Sequence, residues 1–248
     1  MENRQRKTPE EFSRTAMLLG DDALERLMNS TVAVFGLGGV GGQCAEALCR
    51  AGVGHLLLVD GDAVSRSNIN RQLLATQDTV GMRKTEAARQ RLLSINPALE
   101  VQLRDVFYSA DTADSVDLSR CDCIVDAIDT VTAKLLLIER AYALGVPVIS
   151  CMGAGNKLDP SRFEAADIYK TTMCPLARVM RKELRKRGIP SLRVIYSQEE
   201  AITPQGEAED SQRSRTTPGS ASFCAPAAGL LAAAEAVRTV LSEQNNPQ

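Results

Sequence analysis

Apolar residues follow two rhythms along this chain. Short unbroken runs such as "TVAVF" from Thr31 and "HLLLV" from His55 stop at glycine or aspartate. Between them lie longer stretches whose apolar positions recur at helical spacing. A β-branched apolar run that ends at glycine predicts a buried strand, and the longer period predicts an amphipathic helix. The elements so predicted begin with a helix "DDALERLMNS", opened by Asp21 and Asp22, and a strand "TVAVFG". A helix "GGQCAEALCRAG" and a strand "HLLLVD" come next. The amphipathic helix "GMRKTEAARQRLLSINP" stops at Asn-Pro, and strands "LEVQLRD" and "CDCIVDAID" follow. A helix "TAKLLLIERAYALG" and a strand "VPVISCMG" complete the alternation. Strands apolar on both faces, alternating with helices, predict an α/β fold of the Rossmann-like, doubly wound kind. Its sheet is expected to be mostly parallel, with helices on both faces.

After Gly153 the rhythm changes. "KTTMCPLARVMRKELRKRG" predicts a strongly basic helix and "LRVIYS" another strand, while residues 203–220 hold turn formers and charge without an apolar period. That segment is the candidate mobile loop. A final apolar helix runs from Phe223 to Leu241, rich in alanine and interrupted by Pro226, Glu235 and Arg238. A membrane span needs about 20 largely uncharged apolar residues, so a packed terminal helix is expected. The expected organisation is a single domain over 1–248, with a nucleotide-binding core at 30–155 and an elaborated C-terminal part at 156–248.

Composition narrows the partners. The 248 residues carry a net charge of −2 and no tryptophan, so no global pull on nucleic acid or membrane is expected and any such contact needs a local patch. The seven cysteines form no Cys-x-x-Cys pair, and the only histidine is His55, at the start of an apolar run. Reduced, buried thiols fit that pattern better than disulfides or zinc. The polar N-terminus "MENRQRKTPEEFSR" has no signal-peptide pattern, and a cytoplasmic location is expected.

The chemistry gathers around "VFGLGGVGG", where Gly36, Gly38 and Gly41 form G-x-G-x-x-G between a strand and a helix, with Gly39 in the same loop. Glycine lets backbone approach phosphate closely, and the helix N-terminus offers free N–H groups and a positive dipole end. Asp60 ends the next strand about 20 residues on, where an acid meets a ribose hydroxyl. A nicotinamide enzyme would need a hydride site, for which nothing downstream is suited. Instead "VDGDAVSRSNINRQ" supplies Asp62, Asn68 and Arg71, and Lys84 and Asp129 follow. Arginine and lysine neutralise phosphate oxygens, and an acid beside them can hold Mg²⁺. That set suits a triphosphate being broken, although each residue taken singly could cap a turn or face solvent.

Together, "FSRTAMLLG", "GLGGVGG", "DGDAVSRSNINRQ", "VGMRK", "DAIDT" and "APAAGLLAAAEAVRTVL" resemble the ThiF/MoeB/ubiquitin-activating family of ATP-dependent adenylyltransferases, from about Phe12 to Leu241. The resemblance implies ATP and Mg²⁺ as cofactors. By it, Asp60 would bind the ribose, Asn68, Arg71 and Lys84 the phosphates, and Asp129 the Mg²⁺. It further implies a homodimer in which Arg14 reaches the other subunit's triphosphate. Members that activate ubiquitin-like sulfur carriers usually have two Cys-x-x-Cys pairs, which this chain lacks. "DIYKTTMCPLARVMRKELRKRG" instead looks like the branch that acts on threonylcarbamoyladenosine in tRNA, closing a ring through an acyl-adenylate. The alternative is activation of a carrier protein's C-terminal glycine; a scaffold that binds nucleotide without turnover is a third reading.

Two features remain. Arg178, Arg181, Lys182, Arg185, Lys186 and Arg187 recur mostly at spacings of three and four on the basic helix, which makes it a candidate tRNA contact. Cys174 precedes Pro175 at the start of that helix, where a thiol can be activated. A packing role is the expectation, although the resemblance also suggests a sulfur-relay protein as a partner. Cys224 is read as core.

Overall fold

The computed structural model describes residues 8–205 and 218–242. Seven strands form one sheet in the order β3-β2-β1-β4-β5-β7-β6. They are β1 (Thr31–Phe35), β2 (His55–Val59), β3 (Glu100–Arg104), β4 (Cys123–Asp126), β5 (Val148–Cys151), β6 (Phe163–Asp167) and β7 (Arg193–Ser197). Every neighbouring pair is parallel except β6 and β7, which run antiparallel with Phe163 opposite Ser197. The helices are α1 (Ser13–Leu19), α2 (Asp21–Met28), α3 (Gly41–Ala51), α4 (Lys84–Ile95), α5 (Val131–Leu144), α6 (Pro175–Lys186) and α7 (Cys224–Ser242).

The helices cover both faces, as strands apolar on two sides require. Leu48 of α3, Leu92 of α4 and Ala228 of α7 pack on one face. Leu137 and Ile138 of α5, with Met180 and Leu184 of α6, pack on the other. The chain runs outward from β1 to β2 and β3, then jumps back to β4 on β1's other side. That reversal leaves the C-terminal ends of β1 and β4 uncovered between diverging connections, the place where open α/β sheets bind ligands.

Two elements have no counterpart in the sequence pattern. β6, "FEAAD", is half-buried at every position. An edge strand has one neighbour and needs no apolar run. α1 buries none of its residues, and Met17 and Leu18 are 84% and 87% exposed, so no inward stripe marks it.

The terminal helix is long and apolar enough to cross a membrane by length and composition. In the fold it lies along α3, so closely that a Cβ on Gly229 would come within 2.3 Å of the Val40 carbonyl oxygen. Most of the candidate loop 203–220 lies outside the described residues.

Candidate active site

A cleft of about 400 Å³ opens at the strand-order reversal. Its floor is the glycine loop, with Gly36, Gly38 and Gly39 at the lining. Gly36 has φ +83°, and a Cβ there would meet the Ala127 carbonyl oxygen at 2.7 Å. The third motif glycine, Gly41, does not line the cleft. It starts α3 directly against Gly36, where a side chain would overlap the Gly36 carbonyl. The loop thus folds back on the end of β4, with the Gly36 amide donating to the Val59 carbonyl at 2.8 Å and Gly38 and Gly39 facing the cleft.

Asp60, Asp62, Asn68, Arg71, Lys84 and Asp129 all reach this cleft, although up to 69 residues separate them (60 to 129). The parallel sheet explains much of the convergence, because Asp60, Asp62 and Asp129 follow the C-terminal ends of β2 and β4, while Asn68 and Arg71 lie on the long connection after β2 and Lys84 opens α4. Asp60 is 9% exposed and accepts from the Leu37 amide at 2.6 Å and the Asp62 amide at 2.7 Å. Burial pushes its carboxyl above the usual aspartate range, against the pull of Lys84 and of those two amides. Lys84 is buried, and its Nζ donates to Asp62 Oδ2 at 2.8 Å. Arg71 donates through Nη1 to the Ser67 carbonyl at 2.9 Å and to Asn70 Oδ1 at 2.8 Å. Asn70 in turn donates to the Ser220 carbonyl at 2.9 Å, tying this segment to the chain that enters α7. Asn68 accepts from the Ser65 amide at 3.1 Å, so its carbonyl oxygen closes the local turn. Asp129 is exposed at the rim, where Thr130 Oγ1 donates to its carboxylate at 3.1 Å.

Arg14 is elsewhere. It lies on α1, exposed, and is not among the residues that line the cleft.

Beneath Asp129 sits a group that the sequence reading missed. Lys134, fully buried on α5, donates to Asp126 Oδ2 at 2.9 Å and to the Cys151 carbonyl at 2.7 Å. Ser150 Oγ donates to the same Asp126 oxygen at 2.6 Å, and the Ile128 amide donates to the other at 3.1 Å. The network ties the ends of β4 and β5 to α5 and fixes the turn that carries Asp129. Its only signal in the sequence is a lysine inside the apolar run "TAKLLLI". Phe107, 63% exposed, was missed too. It covers Gly61 at the cleft wall, and Tyr108 beside it packs edge-on to Phe35 with ring centroids 5.0 Å apart. Two buried polar atoms of the lining residues, Gln72 Oε1 and Tyr108 Oη, have no protein partner.

The basic residues of α6 are not equivalent. Arg181 turns back to donate to the Thr171 carbonyl at 2.9 Å. Lys186 pairs with Glu183 at 2.7 Å, and Arg187 with Glu183 at 2.8 Å and with Glu139 at 3.0 Å. Arg178, Lys182 and Arg185 point outward. Cys174 and Cys224 are both buried, and burial pushes the Cys224 thiol up.

A pocket with backbone amides at its floor, two cations and an acid on one side and an aromatic wall on another can seat a base, a ribose and a polyphosphate. It has no buried nucleophile beside a base, so its chemistry is positioning and charge stabilisation.

Comparison with known proteins agrees with that description. The ThiF family model matches residues 12–248. A tRNA threonylcarbamoyladenosine dehydratase of Bacillus subtilis (strain 168) is 40% identical over 242 residues, covering 94% of this chain and 95% of its own. The crystal structure of E. coli tRNA N6-threonylcarbamoyladenosine dehydratase in complex with AMP superposes with a TM-score of 0.86, at 30% identity and 95% coverage of both chains. The same enzyme in complex with ATP gives 0.83 at 31% identity, again covering 95% of each chain.

Proposed function

The chain belongs to the ThiF family, and on that premise we propose that it is an ATP-dependent tRNA threonylcarbamoyladenosine dehydratase. The observation that carries the reading is the convergence of Asp60, Asn68, Arg71, Lys84 and Asp129 on one cleft in a chain similar over nearly its whole length to dehydratases of that name.

A carboxylate is a poor electrophile, because its leaving group would be oxide. The threonyl carboxylate of the modified adenosine attacks the α-phosphorus of ATP, and pyrophosphate leaves. The carbamoyl nitrogen then attacks the acyl carbon, and AMP departs with the carboxylate oxygen. The adenosine loses the elements of one water, and ATP becomes AMP and pyrophosphate.

This chain's residues position and neutralise. The glycine-loop amides and the α3 N-terminus face the phosphates. Asp60, already oriented by two amides, accepts from a ribose hydroxyl. Lys84 and Arg71 draw charge from the α-phosphate and the departing pyrophosphate. Phe107 offers a face to the adenine.

A divalent cation fits the donor set. Among the described residues no three potential metal ligands cluster, so a protein cage is not available. Asp129 is an exposed carboxylate at the rim, which suits Mg²⁺, an ion that binds through one or two carboxylates and substrate phosphates. When bound it would neutralise phosphate charge, with Asp129 holding it and the Asp126–Lys134 network holding Asp129.

A homodimer completes the reading. Arg14 sits on α1 with Met17 and Leu18 exposed beside it, an arrangement suited to delivering the guanidinium into a second copy's cleft. Cys174 is buried and no sulfur enters the reaction, so a sulfur-relay protein, the other partner that the resemblance suggests, would act outside the chemistry. Activation of a carrier protein is disfavoured, as the chain has no Cys-x-x-Cys pairs. The setting is cytoplasmic, where tRNA and ATP meet.

The test is nucleoside mass analysis of modified tRNA incubated with the protein and ATP. The reading expects the modified adenosine to lose the mass of one water only when ATP is present. Unaltered tRNA alongside an active Bacillus subtilis dehydratase control would refute it.

A further inference from the structure

We propose that the outward face of α6, formed by Arg178, Lys182 and Arg185, is the docking surface for the phosphate backbone of the tRNA, an inference that rests on the function proposed above. Positions i, i+4 and i+7 share one side of a helix, and the opposite side is the buried stripe of Ala177, Met180 and Leu184. At 1.5 Å per residue the three cations span about 10 Å, over which one strand of a duplex carries about three phosphates.

The charge is concentrated there. At the C-terminal end, Glu183 and Glu139 offset Lys186 and Arg187. Among the described residues no carboxylate forms an ion pair with Arg178, Lys182 or Arg185. Arg185 lies over the Tyr169 ring, 5.0 Å from its centroid, which holds the guanidinium in place while leaving it exposed. In a chain of net charge −2, this is a local positive field with a defined position.

The position suits the reaction. α6 runs down the side of the sheet into β7: Arg185 lies over Tyr169, whose hydroxyl donates to the Ile189 carbonyl just before that strand, so Arg178, at the N-terminal end, is the cation nearest the edge that carries the cleft. β7 stands two strands from β4, about 10 Å at ordinary strand spacing. A tRNA lying along this face from Arg185 to Arg178 would run toward that edge. A second observation concerns the same corner. Met173 has φ +50° and is 53% exposed. A left-handed methionine costs backbone strain without gaining packing, and such strain gathers at functional sites.

The experiment compares the full-length protein with its Arg178→Gln/Lys182→Gln/Arg185→Gln variant, which keeps helix formers at all three positions. The probe is tRNA carrying threonylcarbamoyladenosine, and its affinity is measured across a salt series. Loss of three phosphate contacts should flatten the log–log salt dependence by about two to three units and raise KM for tRNA by about tenfold or more. ATP affinity and melting temperature report the fold, and a second set of single variants, each expected to remove about one unit of slope, serves if the triple variant melts early. Wild-type slope and affinity in the variants would overturn the proposal, as would binding of this face to anionic vesicles with the tRNA slope untouched. The binding readout needs no turnover. A protein that binds tRNA through α6 but never dehydrates it would sink the proposed function and leave the surface standing.

Discussion

Around β1 and β4 three charged groups are buried and partnered. Asp60 is held by two amides, Lys84 by Asp62, and Lys134 by Asp126, Ser150 and a carbonyl. Around β7 and β6 the charges are on the surface, on α6, and several have no opposite charge nearby. A small reactant in a fixed orientation is best met by groups that cannot move, because positioning and preorganised charge lower the barrier. A large polyanion needs only a surface field, since phosphate contacts position without demanding burial. The cleft side should therefore respond to mutation through stability and chemical rate, and the α6 side through salt-dependent affinity.

The largest break in this contrast should come from Lys134→Met. It leaves Asp126 charged at 0% exposure, and stranding one partner of a buried pair costs about 3–5 kcal/mol. Urea unfolding reads this directly. A loss under about 1 kcal/mol would mean that the network does not anchor the cleft. Lys84→Ala comes next, with pyrophosphate release expected to fall by about 10²- to 10³-fold, as when one charge-stabilising donor is removed. An unchanged salt slope for tRNA in that variant would sharpen the division between the two sides.

Phe107→Ala should weaken AMP binding by about 1–3 kcal/mol if the ring stacks on a base, and titration calorimetry reads it. A loss confined to tRNA would move Phe107 to the other side of the comparison.

The smallest effect concerns pH. Burial pushes Glu46 and Glu235 up, but the guanidiniums of Arg91 and Arg50 outweigh it at Glu46, and those of Arg193 and Arg238 at Glu235, leaving both carboxyls below the usual range. A carboxyl lowered by folding contributes stability above its unfolded pKa of about 4.3 and loses it as pH falls through the folded value. Stability should therefore fall on acidification below about pH 5, and Glu46→Gln should flatten the profile by about 1 kcal/mol or less. A variant as acid-sensitive as the parent would place the loss elsewhere.

How far the sequence could be read follows the same division. Glycine loop and strand-end acid form a local pattern, because each sits just after a strand that alternation makes visible, and Arg71 and Lys84 follow in the one connection from β2 to α4. Asp126 and Lys134 are eight positions apart with Ser150 on a third element, and only folding shows that they meet. On α6 the charge run was plain, but which cations turn inward depends on Thr171, Glu139 and Glu183, a tertiary matter. β6 stayed hidden because an edge strand with half-buried residues carries no apolar signature.

The most direct test of the central claim, adenylyl transfer to a carboxylate, is the nucleotide balance during turnover on modified tRNA. The account predicts one AMP and one pyrophosphate for each adenosine that loses water. Release of ADP and inorganic phosphate with the same ring closure, or ring closure with ATP intact, would contradict it.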